Sequence, residues 1–195
     1  MLAKYLFETE PDWGIPILDS QRQPDLIPSP ILPWGAVSRT KRTAPAYHFY
    51  VDDVKFEPLW RSPDKLLRVQ PLVVVEPNFS ITADDSKAVC FWQLYRKRTL
   101  ARIWQAAGID VLVDLNVPDK YLDYALLGVP SGWSGYATRG HHVEPKLVLL
   151  RQYAIAKSHS GLDKPYFLVY AGGKSVQALC RRHGWVYLDT YRGGA

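Results

Sequence analysis

Acidic and amide side chains gather just after apolar runs in this chain. Asp52 and Asp53 follow Tyr47–Val51, Glu76 and Asn78 follow Leu72–Val75, and Asp114 and Asn116 close Ile109–Leu115. Thr138 and Arg139 follow Trp133–Ala137, Gly172–Ser175 follow Tyr166–Tyr170, and Asp189 and Thr190 follow Trp185–Leu188. Parallel strands bring their carboxyl ends to one edge, where ligands of α/β proteins bind. The spacing therefore predicts a shared rim with Asp52, Asp53, Glu76 and Asp114 as catalytic carboxylates. Asp53, Glu76 and Asp114 would hold Mg²⁺, a hard cation that takes oxygen ligands and suits a phosphate substrate. Taken singly, each residue reads more readily as a turn or cap residue, and it is the whole set that points to a site.

A second set of residues is basic. Arg96, Arg98 and Arg102 recur along one helical stretch beside Trp92 and Trp104, and Arg39, Lys41 and Arg42 form a short basic segment upstream. Arg139 and Lys174 each follow a predicted strand. With a formal net charge of +5, these eight residues are the expected nucleic-acid contacts, and nearby rings could stack on bases. A solvated helix face explains the helical set about as well, because Arg98 and Arg102 share a face that Arg96 does not.

Other motifs are excluded on spacing. A phosphate-binding GxxxxGK[ST] loop would need glycine where Leu168 stands, so Gly172-Gly173-Lys174-Ser175 keeps only a tight strand-to-helix turn. His141 and His142 are adjacent and have no cysteine nearby, which disfavours zinc. Gly132 and Gly135 flank Ser134 at the wrong offset for a GxSxG nucleophile.

The elements that would position these residues alternate. Strands are expected at Tyr47–Val51, Leu72–Val75, Ile109–Leu115, Trp133–Ala137, Tyr166–Tyr170 and Trp185–Leu188. Helices are expected over about 56–68, 87–107, 143–157 and 174–183, with a weaker one at 119–126. Continuous apolar strands separated by helices point to an α/β fold with a mainly parallel sheet covered on both faces. A partial or TIM-like barrel is favoured over an open doubly wound sheet. Residues 11–45 carry seven of the 15 prolines and read as an extended arm, residues 1–45, ahead of a single α/β domain, 46–195. Ile15, Ile17, Leu26, Ile27, Ile31, Leu32 and Trp34 make the arm too apolar for a free linker, so it should lie on the domain or on a partner.

Composition narrows the class. The hydrophobic fraction of 47% and charged fraction of 22% are those of a globular protein, and no apolar run is long enough for a membrane span. Met1–Phe7 meets Glu8 and Glu10 too soon for a signal peptide, and Cys90 and Cys180 read as two reduced thiols, so a cytoplasmic setting is expected.

His48-Phe49-Tyr50-Val51-Asp52-Asp53, with Phe56 and Leu59-Trp60, then Pro77-Asn78-Phe79-Ser80, and later Trp92, Tyr95 and Arg96, resembles the DUF4417 family. That family is similar to proteins carried by phages and other mobile elements, and the resemblance runs from about Tyr47 to Tyr170. Asn78 stands where the family commonly has Asp, which weakens a metal role there. The resemblance implies a setting in mobile-element nucleic acid, in DNA replication or its control, without naming a reaction. Three functions are carried forward: a nucleic-acid-binding protein, a Mg²⁺-dependent phosphodiesterase or nuclease, and a non-enzymatic interaction module. The last would dock or self-associate through residues 1–45.

Overall fold

The computed structural model describes residues 7–24, 26–35, 44–141 and 144–191. Among the described residues seven strands form one all-parallel sheet in the order of the chain, a half-barrel with helices wrapped on its convex side. They are β1 (Ile31–Pro33), β2 (Ala46–His48), β3 (Val73–Val75), β4 (Asp110–Asp114), β5 (Gly135–Arg139), β6 (Tyr166–Tyr170) and β7 (Val186–Leu188). Each strand pairs with the next, as in Val74 with Val111 and Arg139 with Tyr170. A parallel neighbour requires a crossover, and a sequential strand order keeps every crossover on the same face. This is the partial-barrel form of the expected α/β fold.

The first strand lies inside the proline-rich arm, where the prolines concealed it. An edge strand tolerates Pro33 because its outer side needs no donor. The described part of the arm is bound to the domain itself. Ile15 and Leu18 are buried in the main core, and Ile27 is buried on the concave face of the sheet. The arm is also tied down by polar contacts. Gln105 donates to the carbonyls of Asp19 (3.1 Å) and Arg22 (2.9 Å), and Gln23 accepts from the Ser134 N–H (2.7 Å).

Helix α3 (Lys87–Ala106) starts where the Ser86 side chain accepts from the Val89 N–H. Helices α4 (Pro145–Ser160) and α5 (Gly173–His183) cover β5, β6 and β7. Between β2 and β3 the expected single helix is two short pieces, α1 (Glu57–Arg61) and α2 (Asp64–Leu67), because Pro63 cannot continue the first. The Trp104 indole holds this segment on α3 by donating to the Pro63 carbonyl (3.0 Å) and stacking on Phe49 at 5.5 Å. The expected weak helix is a 3₁₀ turn, Asp119–Tyr124. Among the described residues no helix is long and apolar enough to cross a membrane. Cys90 and Cys180 are separate buried thiols.

Alternation along the strands sorts side chains between two cores. Val74, Val111, Val113, Tyr136 and Phe167 face the helices, whereas Val73, Val75, Leu112, Ala137, Leu168 and Tyr170 face the concave side. The turns after β5 and β6 pack backbone to backbone. A Cβ at Gly140 would collide with the Ala171 carbonyl and lie 2.9 Å from a Val176 methyl. Replacing Gly140 with Ala should therefore cost about 1–3 kcal/mol, the usual range for overpacking. Urea unfolding measures this, and an unchanged midpoint would mean that the two turns separate easily.

Candidate functional site

Helix α3 delivers two cations to two carboxylates at the ends of neighbouring strands. Lys97 Nζ lies 2.8 Å from Asp114 Oδ2 and 3.1 Å from the Asp114 carbonyl. Asp114 Oδ1 accepts from the Tyr50 hydroxyl (3.0 Å) and the Asn116 N–H (3.1 Å). Arg98 pairs with Glu76 Oε2, which also accepts from the Asp114 N–H (3.0 Å), while its remaining donors meet the Leu127 and Ala125 carbonyls. All four charged side chains are essentially inaccessible to water.

This network changes the expected assignment of the carboxylates. Glu76 and Asp114 are brought together, but each is already neutralised by its own cation. Asp53 is turned away and caps the next loop, accepting from the Ser80 N–H (3.0 Å) and hydroxyl (2.9 Å), and Asp52 is exposed. Among the described residues no three His, Cys, Asp or Glu side chains are grouped to hold a metal ion. The expected Mg²⁺ set of Asp53, Glu76 and Asp114 does not converge. Glu76 has the helix-facing parity of Val74, whereas Asp114 has the concave-facing parity of Leu112.

The expected phosphate strip on α3 is likewise absent. Arg98 has no exposed surface. Arg96 is 7% exposed, pairs with Glu57 and lies 3.8 Å over the Phe79 ring. Arg102 is partly buried over Phe7 at 4.6 Å. The helix turned these cations inward because strand carboxylates and aromatic faces receive them there. Arg39, Lys41 and Arg42 lie outside the described residues, as does His142.

What the rim does assemble is a cationic aromatic mouth. His48, Tyr50 and Tyr170 crowd together on the concave side, with the His48 and Tyr170 rings 4.4 Å apart and the Tyr50 and Tyr170 rings stacked at 5.4 Å. Arg139 stands opposite Tyr170 in register and shares the concave parity of Ala137. Among the described residues its guanidinium has no hydrogen-bond or ion-pair partner, and its Nε is buried without one. Burial, and then the charge of Arg139, push the His48 pKa down to about 3. Its Nδ1 accepts the Tyr50 N–H (3.2 Å), which puts the ring proton of the neutral imidazole on Nε2. Burial, and then the charge of Asp114 and the hydrogen bond to it, hold the Tyr50 phenol protonated far above its ordinary range. A fixed cation beside a neutral imidazole and a hydrogen-bonded phenol groups one charge and two polar-tipped rings at the mouth. Sequence reasoning named Arg139 but missed His48, Tyr50 and Tyr170. The signal was the polar-tipped ring at every second position of His48-Phe49-Tyr50.

A second basic feature lies on α4 and α5, neither of which contains a carboxylate. Arg151 pairs with Asp119 and Lys157 with Asp163. Lys146, Lys174, Arg181 and Arg182 are exposed and form no ion pair among the described residues. Lys146 and Arg182 line a groove of about 200 Å³ between the two helices, together with Ser175 and Leu179.

Two outcomes test this arrangement. Lys97→Met leaves Asp114 buried and uncompensated and should lower stability by about 3–5 kcal/mol, part of which returns on adding Asp114→Asn. Urea unfolding of the three proteins decides it, and equal losses in single and double variants would break the claim of pairing. For His48 the folded pKa lies below the ordinary 6.5, so the unfolded chain takes up a proton that the native state refuses. Stability should fall as pH drops from about 6.5 towards 3, by up to about 1.4 kcal/mol per pH unit. His48→Asn should flatten that slope in unfolding midpoints measured across the window.

The family model described as "Domain of unknown function (DUF4417)" matches residues 7–148, which takes in the mouth residues from His48 to Arg139 and leaves out α5. The chain is 36% identical over 121 residues to the "Gene 1 protein" of Mycobacterium phage D29, covering 56% of this chain and 44% of that protein. It is 33% identical over 133 residues to the "Gene 1 protein" of Mycobacterium phage L5, covering 65% of this chain and 56% of that protein. The chain thus spans about half the length of the curated relatives it matches. No solved structure matches it. With the family model covering most of the chain and both relatives encoded by phages, this protein belongs to the DUF4417 family and is related to phage proteins.

Proposed function

We propose that this chain binds nucleic acid in a phage or mobile-element setting, in DNA replication or its control. The observation that carries the reading is the α4–α5 face. Lys146, Lys174, Arg181 and Arg182 are exposed there, no carboxylate pairs with them among the described residues, and the two helices contain none. A patch of uncompensated cations attracts a polyanion because each phosphate contact releases condensed counterions. Arg139 at the concave mouth is a second candidate contact for a phosphate. The phage relatives supply the setting and no more.

Binding is favoured over metal-assisted phosphodiester cleavage on physical grounds. Glu76 and Asp114 are each held by a buried cation, and His48 stays neutral across the physiological range. Freeing either carboxylate for Mg²⁺ would strand a positive charge in the core.

Fluorescence anisotropy with labelled single- and double-stranded DNA and RNA tests the reading. Affinity should fall steeply with salt, and Arg181→Ala with Arg182→Ala should reduce the log–log salt slope by about 2, roughly one per lost phosphate contact. The same samples with Mg²⁺ should show intact oligonucleotide on a gel. Failure to bind at low salt, or an unchanged slope in the double variant, would overturn the assignment of this face.

A further inference from the structure

Helices α4 and α5 pack side by side and share a groove of about 200 Å³, with Lys146 on one bank and Arg182 on the other. At about 100° per residue, Lys174, Ser175, Ala178, Arg181 and Arg182 fall within roughly 120° of arc on α5, and all of them are exposed. The rings of the two helices are engaged by neighbours. Tyr153 meets Phe167 at 5.3 Å and Trp185 at 4.9 Å, and His183 stacks on Trp185 at 4.8 Å. His159 Nδ1 lies 2.9 Å from the Tyr136 hydroxyl. Neither helix offers an exposed tryptophan, tyrosine or phenylalanine. The exposed tryptophans, Trp13 and Trp92, belong to the surface around α3, where they pack on Phe91 and on Trp60 with Tyr95. Of the two amides on α4 and α5, Gln152 is buried against Thr138 and the Leu115 carbonyl, and Gln177 is half-buried at the flank of the cationic arc.

From these we infer that the nucleic acid taken by the α4–α5 face is duplex DNA, held through its phosphates and without regard to base sequence. The inference rests on the binding proposed above and names its substrate. Single strands are gripped by exposed rings on which successive bases stack, and this face presents cations in place of such rings. A face of cations gains from counterion release, which is larger on a duplex than on a single strand because the duplex carries more charge per unit length. Over the roughly 12 Å from Lys174 to Arg182 a duplex presents about seven phosphates, and a single strand about half as many. Sequence is read by side chains that reach base edges, with a helix in the major groove as the common device. That groove is about 12 Å wide and admits one helix. Here the cations are divided between two packed helices, a spacing that meets backbones rather than base edges.

The experiment compares two DNA duplexes of equal length and unrelated sequence with their separated strands, by fluorescence anisotropy of the full chain between about 50 and 200 mM salt. The duplexes should bind within about twofold of each other, and each more tightly than its own strands. With Lys146, Lys174, Arg181 and Arg182 each on a phosphate, affinity should fall with a log–log salt slope of about 3.6 on the duplexes and about 2.8 on the strands. Lys146→Ala, at an exposed position, should weaken both duplexes alike and lower the slope by about 1. Strands that bind as tightly as the duplex, a preference of about tenfold between the duplexes, or an unchanged slope in Lys146→Ala overturns this inference and leaves the proposed binding standing. Failure of every oligonucleotide to bind at low salt removes both.

Discussion

Two cations from one turn of α3 enter the end of the sheet and neutralise two carboxylates from adjacent strands, and most of the architecture is organised around that contact. Lys97 meets Asp114, and Arg98 meets Glu76, and both pairs are buried from solvent. Removing an ion pair from water costs several kcal/mol per ion, which only close geometry and further hydrogen bonds offset. Those further bonds reach Tyr50, the Asp114 and Asn116 backbones, and the carbonyls of Ala125 and Leu127. The network therefore sets the position of α3, the β3–β4 edge and the loop after the 3₁₀ turn together. It also orients the Tyr50 ring that floors the mouth.

The same network decides what chemistry is left at the rim. Carboxylates after parallel strands invite a metal, yet here the α3 cations occupy the places a divalent ion would take. The cation left without a partner on the concave side is Arg139, and burial, with its charge in second place, keeps His48 neutral. Of the four carboxylates expected to act together at the rim, two are thus paired with buried cations. Charge accounting along α3 and α5 runs in opposite directions for the same reason. Both helices lack carboxylates, but Lys97 and Arg98 of α3 meet strand carboxylates whereas Lys174, Arg181 and Arg182 of α5 point to solvent. A net charge of +5 does not distinguish these cases, because a buried pair contributes nothing to the outer field.

The alternation of apolar strands and helices, the parallel sheet and the barrel-like curvature were legible in the residues. Boundaries were close at β6, which ran from Tyr166 to Tyr170 as expected, and at α3, where Ser86 and Gly108 mark the ends. The arm was legible as apolar but not as a strand. Pairing of Ile31–Pro33 with Ala46–His48 is a long-range contact that proline content argues against locally. Of the candidate contacts, Arg139 and Lys174 do stand at or just after strand ends, at β5 and β6. Arg96 and Arg98 were misassigned, because a helical period reports which residues share a face without saying what that face meets.

By itself the sequence determined the order of elements, the parallel sense of the sheet and the set of polar residues at strand ends, since each follows from local periodicity and from the crossover a parallel pair requires. Only the tertiary structure decided which of those residues are free. Asp114 and Asp53 are indistinguishable by type and by place after a strand. One is locked to a buried lysine and the other caps a loop, because partners separated by 17 and 27 residues meet only once the chain has folded. Charge is a local property of the sequence, whereas its availability depends on burial and on the nearest opposite charge, both of which are properties of the fold.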